Sequence, residues 1–94
     1  MDFRIPRPNV VESAEGYSVE ILGRVGLLYV EGDRTMRIDS EMWAESLGAE
    51  VFLSSIARWN QPFESVPITQ GDRERIAEHL VAAFRFLGYE IAFS

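Results

Sequence analysis

Reactive side chains are sparse in this 94-residue chain: one histidine, fifteen carboxylates, nine arginines, and neither cysteine nor lysine. A metal-binding or general-base role for His79 would want a second ligand one helical turn away. Position 83 holds alanine instead. A histidine packing its ring against a sheet is the simpler reading. Asp39 and Glu41 flank Ser40, which sets bases beside a hydroxyl. Serine nucleophiles, however, are activated by imidazole or lysine, and Ser40 reads more simply as a helix cap. Paired carboxylates can hydrolyse glycosides, but fifteen acids supply such pairs by chance, and a domain this small lacks a substrate cleft. Glu31-Gly32-Asp33-Arg34 offers too few oxygens for calcium. No glycine-rich phosphate loop is present. The sequence therefore argues against an enzyme and calls for no metal or cofactor.

What remains is a surface. The net charge is −6, which opposes contact with nucleic-acid phosphates and favours a basic protein partner. The excess is local: residues 12–50 contain nine acids against Arg24, Arg34 and Arg37. Glu20, Glu31, Asp33, Asp39 and Glu41 are the candidate steering residues. Trp59 and Phe63, large aromatics within an irregular stretch, are the candidate apolar anchors, with a role in pinning the loop as the alternative for each.

These residues need elements to hold them. Ninety-four residues with 47% hydrophobic content and eleven aromatics suit one domain over 1–94, burying roughly 60–65% of its unfolded surface. Residues 1–9, with Pro6 and Pro8, read as an extended N-terminal arm. Tyr17, Val19 and Ile21 alternate with polar residues as in a half-buried strand. Val25 to Glu31 reads as a more fully covered strand, and Glu31-Gly32-Asp33 as a hairpin turn into a strand from Arg34 to Asp39. Ser40 to Leu47 is expected to form a short helical turn with Trp43 in the core, and Glu50 to Ser54 another strand. Residues 56–67 form a long loop with two prolines.

The strongest pattern follows. Thr69 is an N-cap with Asp72 at the third position, and Ile76, Leu80, Ala83, Phe84 and Leu87 form an apolar arc that Gly88 ends. Tyr89, Ile91 and Phe93 alternate in a last strand, expected to run antiparallel to its neighbours. The fold class is therefore α+β: a mainly antiparallel sheet of four to five strands with helix 69–87 packed on one face. No apolar stretch is long enough to cross a bilayer, and Met1-Asp2-Phe3-Arg4 lacks the start of a signal peptide. A soluble cytoplasmic protein is expected.

The order of several features resembles a family, the bacterial polymorphic-toxin immunity proteins numbered seventy-four. Arg37-Ile38-Asp39-Ser40-Glu41-Met42, then Gly48 and an apolar strand, then Ser55, Trp59 and Pro62, then Ile68, Asp72, Ile76 and the helix to Phe84 are similar to that family's pattern over about residues 25–90. The resemblance implies a protein that binds a cognate toxin domain and blocks its active site or substrate approach, with no catalytic residues of its own. Many such toxins are nucleases with basic grooves, which an acidic sheet face would suit. The rival is a small assembly or adaptor module, acting through a strand edge or loop aromatics as a homodimer or docked on a larger protein.

Overall fold

The computed structural model describes residues 2–94. Seven strands form one curled sheet in chain order: β1 (Phe3–Arg7), β2 (Val10–Ser13), β3 (Tyr17–Ile21), β4 (Val25–Glu31), β5 (Arg34–Met42), β6 (Gly48–Val51) and β7 (Glu90–Phe93). One helix, α1 (Gln70–Leu87), packs on the inner face. Neighbours from β1 to β6 are antiparallel, whereas β7 runs parallel to β6. The sheet is thus larger than the four to five strands expected, and mixed.

The alternation of apolar residues sets the inner face. Val11, Tyr17, Val19, Leu27, Tyr29, Met36, Ile38, Ala49 and Val51 meet Ile76, Leu80, Ala83 and Phe84 of α1 in one core. The helix starts as its sequence dictates. Thr69 Oγ1 accepts from the Asp72 amide at 3.0 Å, and Asp72 Oδ2 accepts from the Thr69 amide at 2.9 Å, a reciprocal cap. Gly88, with φ 77°, closes the other end in the left-handed conformation.

Four expectations need correction. The N-terminal arm is a strand: Pro8 and Asn9, the latter with φ 67°, turn the chain so that β1 pairs with β2; Met1 lies outside the described residues. Ser40 caps no helix. It lies inside β5, buried, and its hydroxyl has no hydrogen-bond partner among the described residues. Trp43 is half-buried beside Gly48, where a Cβ would lie 2.7 Å from the Trp43 ring and 2.6 Å from the Glu90 carbonyl oxygen. The fourth strand signal starts and stops earlier, because a 3-10 turn at Leu53–Ser55 interrupts the apolar run. There Ser55 Oγ accepts from the Asp39 amide at 2.8 Å and donates to the Phe52 carbonyl at 2.6 Å.

The direction of β7 has a topological cause. Once β6 ends, the loop and the 18-residue α1 carry the chain back to the level where β6 began, so the returning strand must run parallel to it. The loop of residues 56–67 meanwhile lies along the first half of β5, which β6 does not reach. Asn60 fastens it, donating its amide to the Thr35 carbonyl at 2.8 Å and its side-chain NH2 to Thr35 Oγ1 at 2.9 Å.

Candidate partner-binding surface

Because α1 covers only the inner face, residues of opposite parity along the strands face outward on an open face. The structure distributes the sequence-derived candidates unevenly. Glu20, Asp39 and Glu41 lie on the open face, flanked along their strands by inward residues such as Val19, Ile38 and Ser40. Asp33 is exposed in the β4–β5 turn, where Gly32 takes φ 62°. Glu31 lies on the other side, under the helix.

Two acids absent from the candidates join the open face. Glu50 is directly opposite Glu41 in the β5–β6 register, and Glu90 is paired with Gly48, two residues along β6 from Glu50. With Asp39 they make a patch of four carboxylates across β5, β6 and β7. No ion pair involves any of the four among the described residues. The opposite end of the same face is compensated. Arg4 pairs with Glu12, and Arg7 Nη2 approaches Glu20 Oε1 at 3.6 Å. Opposed like charges across a ladder cost stability, so the Glu41/Glu50 pairing marks the patch as unfavourable in the isolated chain. Neither Glu50 nor Glu90 is conspicuous in sequence; their place depends on the register of β6 and the direction of β7.

The aromatic candidates separate as well. Trp59 is 2% exposed, stacked beside Tyr29 at 6.4 Å, and presents no surface to a partner; its role is to seat the loop. Phe63 is half-buried at the edge of the core, with the Arg34 guanidinium 5.2 Å from its ring centre. Arg34 also lies 5.8 Å from the Trp59 ring.

Glu31 belongs to an internal network. Arg75 donates to both of its oxygens, at 2.9 and 3.0 Å, and to Asp72 Oδ1 at 2.8 Å. Tyr29 donates its hydroxyl to Glu31 Oε2 at 2.7 Å, and His79 Nδ1 lies 2.7 Å from the same hydroxyl oxygen. Partial burial would raise the Glu31 carboxyl, but the hydrogen bonds from Arg75 and Tyr29 and the charge of Arg75 outweigh it and hold it below its ordinary range. With Glu31 ionised, the single Tyr29 proton serves the carboxylate, and the His79 ring donates Nδ1–H to the tyrosine oxygen. Burial drives Tyr29 far above its ordinary range and lowers His79. The His79 ring also stacks on Tyr17, with the ring centres 3.7 Å apart and the planes nearly parallel. Sequence reasoning had no access to this cluster, since Glu31 and Arg75 are 44 positions apart. It clasps the helix to the sheet.

Among the described residues no three His, Cys, Asp or Glu side chains converge as a metal site, and no helix is long and apolar enough to cross a membrane. A family model described as immunity protein 74 matches residues 19–94, which takes in the last three residues of β3, all of β4 through β7 and α1, and leaves out the β1–β2 hairpin. No curated protein and no solved structure matches the chain.

Proposed function

The chain belongs to the immunity protein 74 family, and from that membership we propose that it binds and neutralises a cognate secreted toxin domain, acting as a non-catalytic plug in the cytoplasm of the cell it protects. A basic toxin domain, such as a nuclease with a groove for phosphates, meets the open face of the sheet. Asp39, Glu41, Glu50 and Glu90 form the centre of the contact, while Asp33 and Glu20 extend its field.

The observation that carries this reading is the Glu41/Glu50 pairing without a cation partner. A folded protein tolerates such a pair at a cost, and a basic partner turns that cost into binding energy and faster association. Phe63, half-buried on the loop beside Arg34 at the other end of β5, is a candidate apolar contact separate from that patch.

The test is growth of cells expressing the toxic C-terminal domain of the protein encoded immediately upstream, with and without this chain, together with binding of the purified pair. Rescue with tight binding that weakens as salt rises is the expected result. Rescue with salt-independent binding would keep immunity and refute the acidic face. A folded chain that neither rescues nor binds would refute the pairing with that toxin.

A further inference from the structure

Trp43 stands on the open face of the sheet. The alternation along β5 runs on past its last residue: Glu41 faces outward, Met42 packs against the core, and Trp43 does not. The Trp43 amide donates to the Gly48 carbonyl at 3.0 Å, which sets the two residues side by side. On β6, Ala49 and Val51 are buried in the core, so positions 48 and 50 belong to the open face. A Cβ on Gly48 would project to that side and meet Cε3 and Cζ3 of the Trp43 ring, each at 2.7 Å. The missing side chain is therefore the bed of the indole. The ring hides Gly48 from solvent and is itself left half-buried, with nothing of this chain stacked on it among the described residues; the Arg34 guanidinium lies over Trp59 and Phe63 instead.

The surroundings of the ring are acidic and apolar. Glu41 is two residues back along β5, Glu50 two residues on from Gly48, and Glu90 is paired with Gly48. Val25, 57% exposed, is directly opposite Glu41, and Leu47, 65% exposed, precedes Gly48. Trp43 also lines a surface depression with Glu41, Glu45 and Arg24. Four carboxylates thus stand around the indole against the one cation of Arg24. Arg37 lies farther back along β5, its guanidinium in the space that a Gly26 side chain would need. None of these charged groups is in an ion pair among the described residues.

We propose that Trp43 is the anchor of the toxin contact and takes an arginine side chain of the toxin domain, its guanidinium stacked on the indole and its N–H groups donating to Glu41, Glu50 and Glu90. This rests on the toxin reading above and narrows it to one side chain. A guanidinium is planar and weakly hydrated, so it stacks on an aromatic face while its edge meets carboxylates; a lysine ammonium is a point charge without the second capacity, and an apolar side chain would leave the acids unpaired. Val25 and Leu47 bracket the site and exclude water from it once the partner is seated.

The test is binding of the purified toxin domain to the full chain and its variants, each first shown to be folded by circular dichroism. Trp43→Leu, which keeps an apolar side chain over Gly48 and loses the π face, should weaken binding by about tenfold or more. Trp43→Phe, which keeps a weaker π face, should stay within about threefold of the parent. The losses from Trp43→Leu and Glu50→Gln should fall short of additive, because ring and carboxylate hold one guanidinium. With fluorotryptophan at its two tryptophans, the chain gives two fluorine resonances that Trp43→Phe assigns; toxin should move the Trp43 resonance and leave that of Trp59 nearly in place. A Trp43 resonance unmoved in the complex, Trp43→Leu binding as tightly as Trp43→Phe, or fully additive losses would overturn the anchor while leaving immunity standing. A parent chain that does not bind the toxin would overturn the toxin reading and the anchor together.

Discussion

Glu50→Gln should make the free protein more stable and its toxin complex weaker, a pair of opposite effects that follows from the register of β5 and β6. Glu50 and Glu41 are directly opposite on the open face, and side chains so placed have Cβ atoms about 4.5–5.5 Å apart. Two unit charges at about 5 Å repel by roughly 0.8 kcal/mol in water-like surroundings, and by more against the protein surface. With exposure and side-chain freedom taken into account, the gain on neutralising one of them is about 0.5–1 kcal/mol. In a domain of this length that raises the melting temperature by about 2–8 °C. The assay is thermal unfolding followed by circular dichroism at low salt and again near 1 M salt, where the Debye length falls to about 3 Å and the gain should largely vanish.

Two controls isolate the pair. Glu64→Gln removes the same unit of charge from the exposed loop and should change stability by less than about 0.5 kcal/mol. Glu41→Gln should match Glu50→Gln, and the double variant should gain no more than either single one, because the repulsion can be removed only once. A melting temperature that falls at low salt, or a gain equal to that of Glu64→Gln, would refute the local repulsion. On the toxin side, the association rate should fall, and because Glu50 sits at the centre of the proposed contact the dissociation rate should rise as well.

Asp72→Ala should cost about 1 kcal/mol near neutral pH through loss of the reciprocal cap. The hydrogen bond from the Thr69 amide, then that from Arg75, lowers the Asp72 pKa from 3.8 to about 2. Its stabilisation is therefore fully present above pH 3.8 and is lost as pH falls through about 2, so urea titrations of the variant and the parent should converge in strong acid. Trp59→Ala should destabilise by about 3–5 kcal/mol, the range for emptying a buried aromatic site, and speed toxin dissociation only insofar as the loop unravels; a stable variant with lost binding would return Trp59 to the interface. Ser40→Ala should leave stability unchanged or improve it, since the buried hydroxyl has no partner; a loss near 1 kcal/mol, as for a helix cap, would contradict its place in β5.

The parts of the fold legible in sequence are those whose periodicity is local. β3 and β5 announce themselves through alternation, β4 through its apolar run, and α1 through its arc and both caps, because each signal lies within a few residues of its cause. The N-terminal hairpin was hidden by its prolines. Pro6 and Pro8 suggest an irregular arm, yet Pro8-Asn9 is also the residue pair of a type II turn, and consecutive buried valines at positions 10 and 11 blur the alternation of β2. The parallel setting of β7 depends on where a helix of 18 residues returns the chain, which no property of residues 90–93 encodes. Acidity was legible as a quantity and illegible as a pattern. Glu31 and Glu41 look alike in sequence, and only tertiary pairing gives the first an arginine and the second another glutamate.

That division between the two faces has a physical reason. An acid on the inner face is removed from water by α1, so it persists only with a cation supplied by the helix, as Arg75 supplies Glu31. On the open face water screens each charge, so no such partner is required, and sequence can accumulate carboxylates there at modest cost. The open face nevertheless does so on one side only. Its β1–β3 side matches acids with Arg4 and Arg7, whereas the β5–β7 side carries four carboxylates in no ion pair. Solubility alone would be served equally well by either side. Arg37 is exposed on the same face of β5 and Arg24 lines a surface pocket with Glu41, so the patch is an excess of acid rather than an absence of cations, and such an excess suits an encounter with a basic surface.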